Sequence, residues 1–292
     1  MNNRINIEFP SLFESADKAS SSAQREYILL IKLQLTFLLL STILSVFTVF
    51  YRGFLLFVVI SMLGSLFFTY LIKIRKKERI WFDGRAVAES IKTLSWRYMM
   101  GAGPFKKTLS AEEVDKLFIE SIQNVLQERK NLSPFMVSNF EGGVYITSTM
   151  KEIRNLNYSQ RLELYLQFRV QDQKKWYSDK CENNKKWEEW LFIASFSFQI
   201  LAIVYIIFFF SQNWKINITS ILSALATITI TWLQVKQHQE LAQAYGLAAQ
   251  ELSYIASISF SVTSEDRLSE YVNESENAIS REHTLWVARR GQ

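Results

Sequence analysis

Cysteine is almost missing from this chain: Cys181 stands alone, which excludes an internal disulfide and any cysteine-built metal centre. The two histidines, His238 and His283, are far apart and neither has a second nitrogen or sulfur ligand at zinc spacing, so no metal is expected. Asp, Glu and His are absent from four long apolar runs, 28–50, 54–72, 190–210 and 216–234. Such groups inside a membrane are costly and mark proton- or ion-coupled transport, so that class is excluded. The Gly/Pro interruptions that mark the broken helices of transporters are missing as well. No strand alternation of convincing length occurs, which leaves an all-α fold.

What the chain does have is apolar sequence bunched into those four runs. Each is near the ~17 to 25 residues needed to cross a ~30 Å hydrocarbon core. The only charge within them is Lys32, near an end, where a lysine reaches back to the head groups. Runs such as FLLFVVISMLGSLFFTYLI are polar on no face, which argues against buried hairpins of a soluble protein. A cleaved secretory signal is not expected, because the first 27 residues are polar and the first apolar run is too long.

The loops within the two hairpins are short, Tyr51-Arg52-Gly53 and residues 211–215, so each pair of runs forms an antiparallel helical hairpin. Of 33 Lys and Arg residues those loops hold only Arg52 and Lys215. Basic residues gather on the cytoplasmic side, which places both termini and the central segment there. The cluster Lys73, Arg75, Lys76, Lys77 and Arg79 follows the second run directly, where anionic lipid attracts it. Trp190 and Trp232 fall at the cytoplasmic ends of the third and fourth runs, as interfacial Trp does. No zinc finger, RNP-type aromatic motif or Arg-rich arm accompanies the basic balance, so direct nucleic-acid binding is not expected.

A shift of 162 lays the first hairpin over the second without a gap. Polar positions outside the membrane match too: Asp17-Lys18 on Asp179-Lys180, Glu26 on Glu188, Gly84 on Gly246, Glu89 on Glu251. Apolar matches alone would be uninformative, but polar ones at a constant shift point to an internal duplication. The expected organisation is a first two-span unit over 1–105, a cytoplasmic helix and connecting loop over 106–149, and a second two-span unit over 150–292. Ser110-Ala-Glu-Glu113 is a capping box for an amphipathic helix to about Lys130, and Pro134 with Gly142-Gly143 reads as loop. A long helix is expected from about Thr149 to the third run, another over 237–258, and a last one capped at Thr263-Ser264-Glu265-Asp266. In that last helix Leu268, Tyr271, Val272, Ser275, Ala278, Ile279, Glu282, Leu285 and Trp286 share a face. The fold class is thus an all-α membrane protein, four transmembrane helices in two antiparallel hairpins with a cytoplasmic helical layer.

Hydroxyls recur along the runs: Thr219, Ser223, Thr227 and Thr231 every four residues in the fourth, and Gln34, Ser41, Ser45 and Thr48 on one face of the first. These stripes either pack helices closely and bond back to the backbone or line a narrow aqueous path in an oligomer. Enzyme chemistry finds no support, and no catalytic residue or cofactor is expected. Gly101-Ala-Gly-Pro-Phe105 is too short to cradle a phosphate and lacks the Lys-Ser/Thr of a P-loop. Glu282-His283 reads as a solvated or interface pair. Trp176-Tyr177 and Trp286 read as core or protomer-interface anchors, with nucleotide stacking beside Arg169 as the alternative.

Four stretches together, PSLFESADKASSSAQREY, WFDGRAVAESIKTLSWRYMMGA, YLQFRVQDQKKWYSDK and ENAISREHTLWVARR, resemble the bacterial SLATT family, the SMODS and SLOG-associating two-transmembrane effectors, in a tandem two-hairpin form. The matching positions are Asp17, Trp81, Arg85, Glu89, Trp96, Arg169, Gln173, Trp176, Tyr177, Glu276, Glu282, His283 and Trp286, in packing or coupling roles. The resemblance implies a multi-pass inner-membrane effector of a conflict (antiphage) system, partnered with a nucleotide-signal-producing or nucleotide-sensing companion. It also implies that the membrane is permeabilised once the protein is activated, and a homo-oligomer in the lipid bilayer is the assembly expected to do so. A membrane-anchored helical scaffold for a partner enzyme, or a constitutive ion channel, are the alternatives.

Overall fold

The computed structural model describes residues 7–136, 143–212 and 216–290, without the side chains of 210–212 and 281–290. Among them every regular element is helical: α1 Ser11–Phe47, α2 Phe54–Arg75, α3 Lys77–Met100, α4 Ala111–Glu128, α5 Ser133–Met136, α6 Ser148–Asn155, α7 Tyr158–Tyr165, α8 Asp172–Gln212, α9 Thr219–Lys236, α10 His238–Ser257 and α11 Glu265–Arg290. The chain divides into two compact units. A polar unit takes Met1–Gln24, Glu78–Asp179 and Ala244–Gln292, and a hairpin unit takes Arg25–Lys77 and Lys180–Gln243. This division cuts across the sequence repeat, because each half gives its polar ends to one unit and its apolar hairpin to the other.

In the polar unit the start of α1 presents small side chains. Ala16, Ala19, Ser20 and Ala23 are buried, and α3 meets them at Gly84. Ser20 Oγ donates to the carbonyl of Trp81 at 2.9 Å, so a close helix pairing also satisfies a buried hydroxyl. α3 stops at Gly101, whose φ of 67° is the left-handed conformation that ends helices, and Ala102 N then donates back to Arg97 O at 2.9 Å. α4 opens with the expected capping box: Ser110 Oγ accepts from Glu113 N, and Glu113 accepts from Ser110 N. Its buried Val114, Phe118 and Ile122 recur every four residues, and Phe118 packs on Tyr98 and Phe105 at 4.9 and 5.6 Å between ring centroids. α11 buries the face read from its sequence, Leu268, Tyr271, Val272, Ser275, Ala278 and Ile279, while the side chains of Glu282, Leu285 and Trp286 lie outside the described residues.

Two expectations are corrected here. The single long helix from about Thr149 is interrupted: α6 ends at Asn155, and Asn157 caps α7 by accepting from Gln160 N at 2.9 Å while Gln160 accepts from Asn157 N. A π turn, Leu166–Gln171, then leads into α8. The segment read as loop after 130 holds a 3-10 turn at Lys130–Leu132 and α5, both of which fold Leu132 and Met136 into the core. The rest of that loop, 137–142, lies outside the described residues, as does 213–215 of the second hairpin loop.

In the hairpin unit α1 and α2 pack through Phe37 and Phe68, and α8 holds α9 through Ser195 Oγ, which donates to Ala226 O at 3.3 Å. The opposite faces are bare. Leu55, Leu56, Phe57, Val59 and Ile60 on α2, with Phe192, Ile193 and Phe196 on α8, are all at least half exposed. Apolar surface on that scale is left uncovered where lipid or another chain is the solvent. Three helical stretches, Ser11–Phe47, Phe54–Met100 and Tyr158–Phe209, are long and apolar enough to cross a membrane. The fourth expected span is a helix too, but α9 is not among those that qualify, because Thr, Ser, Gln and Lys dilute its 18 residues.

After α2 and after α9 the helix breaks at corresponding places. Lys76 and Gln237 take φ of 45° and 51°, the only non-glycine residues with positive φ among those described. Each break ends one helix and lets the next, α3 or α10, begin at once.

A Cβ added at position 84 would lie 3.0 Å from Ser20 N and 3.1 Å from Ala16 O, backbone atoms that no rotamer can move aside. Gly84→Val is therefore expected to lose about 1–3 kcal/mol of stability, with Gly84→Ala losing less, measured as the thermal midpoint of the full chain in detergent. A midpoint unchanged by Val would contradict the close α1–α3 pairing.

Candidate functional site

A fully buried ion pair of the polar unit is assembled from three elements. Arg169 projects from the middle of the π turn, Glu276 from α11 and Thr93 from α3, and both charged side chains are 0% exposed. A π turn carries one extra residue per turn and so re-aims side chains relative to an α-helix; such turns are frequent at functional sites. Arg169 Nε donates to Glu276 Oε1 at 2.9 Å, and its Nη2 donates to Oε2 at 2.7 Å, a two-pronged pairing. Tyr165 OH donates to Oε1 at 2.9 Å and Thr93 Oγ1 to Oε2 at 2.8 Å. The carboxylate thus accepts four hydrogen bonds, which is the condition for holding a charge away from water.

Burial works against the Arg169 charge, but the Glu276 carboxylate outweighs it and holds the guanidinium above its ordinary range. Burial, reinforced by Glu276, pushes the Tyr165 phenol far up, so it stays protonated and remains a donor. Burial first and the Arg169 charge second push the Lys92 ammonium down. The network is incompletely satisfied: Arg169 Nη1 and the nearby Trp96 Nε1 have no hydrogen-bond partner among the described residues. Trp96 stacks edge-on against Tyr165 at 5.6 Å.

Of the positions the sequence singled out, the structure brings Arg169, Glu276 and Trp96 into this cluster, with Tyr165 and Thr93 as members the sequence reading missed. A second cluster collects Arg85, Glu89, Trp176 and Tyr177. Arg85 pairs with Glu89 at 3.2 Å and lies over the Trp176 ring at 5.8 Å, while Trp176 and Tyr177 pack on Tyr245 of α10 at 5.3 and 5.7 Å. Gln173 is half-buried on α8, one turn before Tyr177. Trp81 supplies the carbonyl that Ser20 binds, whereas Asp17 is exposed on α1 and belongs to neither cluster. Glu282, His283 and Trp286 fall within α11, but their side chains lie outside the described residues.

Sequence reasoning also missed two buried arginines. Arg154 donates to the carbonyls of Tyr98, Phe105 and Lys106, and Arg161 donates to those of Met100 and Leu156 and pairs with Glu265. Both thereby neutralise the carbonyl-rich end of α3, where cations are favoured. Gly101-Ala-Gly-Pro-Phe105 is the loop they wrap, and it serves as a helix stop.

The hydroxyl stripes have a plain local geometry. Thr227 and Thr231 donate to the carbonyls of Ser223 and Thr227 in α9, and Ser41, Ser45 and Thr48 donate to Leu38, Thr42 and Ser45. Ser223 and Thr227 are exposed, Gln34 is half-buried, and Thr219 Oγ1 is buried with no partner among the described residues. An open groove of about 1130 Å³ runs along α10 and α11 past Leu247, Tyr254 and Glu274, and none of the residues of either cluster lines it.

Comparison with known families gives two matches in tandem. The model described as SMODS and SLOG-associating 2TM effector domain 3 matches residues 10–162, and that described as SMODS and SLOG-associating 2TM effector domain 1 matches residues 165–286. No curated protein and no solved structure matches the chain. The boundary between the two matches, at 162–165, falls in α7, just before the π turn that carries Arg169.

Removing one partner of a fully buried pair leaves the other charged and unpaired, at a cost of about 3–5 kcal/mol. Glu276→Ala is expected to lose stability on that scale, whereas Arg169→Met with Glu276→Leu recovers most of it, both read from thermal unfolding in detergent. A Glu276→Ala protein as stable as the parent would show that the pair does not hold these helices together.

Proposed function

Since the chain belongs to the SLATT family of 2TM effector domains, present here as two tandem copies, we propose that it is a membrane effector of a bacterial antiphage system. On this reading it assembles as a homo-oligomer in the inner membrane and permeabilises it when a companion protein that makes or senses a nucleotide signal activates it. The observation that carries the reading is the coincidence of two matched effector domains with two helical hairpins whose outward faces are apolar and bare. Lipid covers part of that surface and neighbouring copies the rest.

Four crossings result if α9 joins the three qualifying helices. At ~1.5 Å per residue its 18 residues reach about 27 Å, close to the hydrocarbon thickness. A short, Thr-rich span of this kind is accommodated by local thinning or by packing against other helices, which suits the interior of an oligomer better than its lipid face. With Arg52 and Lys215 as the only cations of the hairpin loops, both termini and the polar unit lie on the cytoplasmic side. Activation acts on the polar unit, and α1 and α8, each one unbroken helix from polar lead-in to apolar run, carry the change to the hairpins.

The scaffold reading draws support from one observation: the hydroxyls of Thr227 and Thr231 are bonded within their own helix and need no water. In the pore reading the exposed Ser223 and Thr227 line the path in the oligomer. Ser223→Leu together with Thr227→Leu separates the two. Potassium efflux from cells with the triggered system is expected to fall at least about tenfold if these positions line the path, a change of ~1.4 kcal/mol in the barrier. Efflux unchanged by the double substitution in a protein that still reaches the membrane would favour the scaffold.

A further inference from the structure

The groove of about 1130 Å³ in the polar unit has Leu247, Tyr254 and Ile258 along its α10 side and Glu274, Asn277 and Ala278 along its α11 side. Leu247 and Tyr254 are 58% and 67% exposed, apolar surface of the kind that another chain covers. The lining carries two acids, Glu251 and Glu274, and no cation. Glu251 is already engaged within the chain. The ion pairs of α11 among the described residues are those of Glu265, Glu270 and Glu276, so the exposed Glu274 is not in one of them. Arg97 reaches the rim, where its Nη2 donates to Asn277 Oδ1 at 2.7 Å.

The chain itself carries a segment that fits this groove. Past Ser280, the last lining residue, α11 continues to Arg290. At ~1.5 Å per residue this tip, 281–290, is about 15 Å long, and the groove from Leu247 to Ile258 about 17 Å. The tip reads REHTLWVARR, three arginines against one glutamate with Leu285, Trp286 and Val287 between them. Its charge and its apolar residues both complement the groove. The tip of the same chain cannot enter, because it continues the helix that forms one wall and would have to break to fold back. The tip of a second copy meets no such obstacle.

From this we infer that two copies of the chain exchange these tips, the end of each α11 lying antiparallel along the groove of the other. The inference names the contact behind the homo-oligomer reading and rests on that reading. Such an exchange is self-complementary: where residue i of one copy meets residue j of the other, j also meets i. Setting Arg289 opposite Glu274 puts the two-fold axis between residues 281 and 282. The same register then sets Arg281 opposite Glu282 in both directions and Leu285 opposite the small Ala278. Opposite charges meet at two separate places, and no like charges face each other. Glu274, Ala278, Arg281, Leu285 and Arg289 follow one another at spacings of three and four, so a single face of α11 supplies them all.

The test uses the full chain in detergent, with Cys181→Ser and mild oxidation, carrying Glu274→Cys, Arg289→Cys or both. Within one α11 positions 274 and 289 are about 22 Å apart at ~1.5 Å per residue, far beyond the ~7 Å limit between disulfide-linked Cα atoms. A disulfide between them therefore joins two copies. The double variant, and a mixture of the two single variants, should give a covalent dimer. Neither single variant alone should, because the register keeps like positions equally far apart. A second readout cross-links the neighbouring pair, Ala278→Cys with Leu285→Cys. Adding Glu274→Arg should lower that yield at least about tenfold, and Arg289→Glu in the same chain should restore it. A protein that remains oligomeric by light scattering yet forms no disulfide between 274 and 289 would overturn the exchange and leave the homo-oligomer reading standing. A chain that is monomeric at every concentration would overturn both. A yield unmoved by Glu274→Arg would also overturn the exchange, since that acid would then face solvent or a companion protein.

Discussion

A guanidinium and a carboxylate that are both out of reach of water must be paired and hydrogen-bonded, and this constraint organises the polar unit. Arg169 and Glu276 sit on the π turn and on α11, and Thr93 and Tyr165 bring α3 and α7 to the same carboxylate. Sliding any one of these helices by a residue would strand a charge, whereas an apolar core would tolerate the slip more readily. The pair contributes little net stability relative to well-packed apolar residues; what it supplies is a single register. Among the described residues Arg169 Nη1 and Trp96 Nε1 find no partner, so this register is held at some cost.

The hairpin unit obeys a different logic. The hydroxyls of Ser41, Ser45, Thr227 and Thr231 are bonded to carbonyls of their own helices, the Phe37 and Phe68 rings pack between α1 and α2, and the inter-helix hydrogen bond from Ser195 to Ala226 holds α8 to α9. Without water there is no hydrophobic drive between such helices, so small residues and close contact decide how they associate. The charges are confined to the ends, where Glu26 collects Arg75 and Lys77, and Trp232 collects Lys32 and Lys236. His238, at the start of α10, is tied to Asn184 at 2.7 Å and stacks on Trp187, so the second hairpin too is fastened where its apolar run ends.

Much of this was legible in the residues, for identifiable reasons. Ser110 and Glu113 announce α4 because a capping box is a local device, and the buried face of α11 is set by period alone. The repeat of Asp17-Lys18 at Asp179-Lys180 marks ADKASSSAQREY as a lead-in to the first hairpin, but the reason for its small residues is plain only once Gly84 lies against Ala16 and Ser20. Asn157 and Gln160 carried a readable cap that the surrounding helical pattern hid. The breaks at Lys76 and Gln237 were not legible, because neither residue is a glycine, the residue type that ordinarily takes the left-handed conformation. Arg154 and Arg161 were missed because a charged residue on a helix is ordinarily solvated, and nothing local says that a helix end lies across from it. The pairing of Arg169 with Glu276 joins residues 107 apart, a separation at which a single sequence carries no signal.

The two matched effector domains, the bare apolar hairpins and the buried charge network together support the account of a protein whose output is a change in the membrane. That claim is tested most directly by following a membrane-potential dye in cells that express the chain with its companion genes while the system is triggered. The account predicts depolarisation that begins after the trigger and is absent from cells lacking this chain. A membrane that stays polarised throughout a triggered response would contradict it.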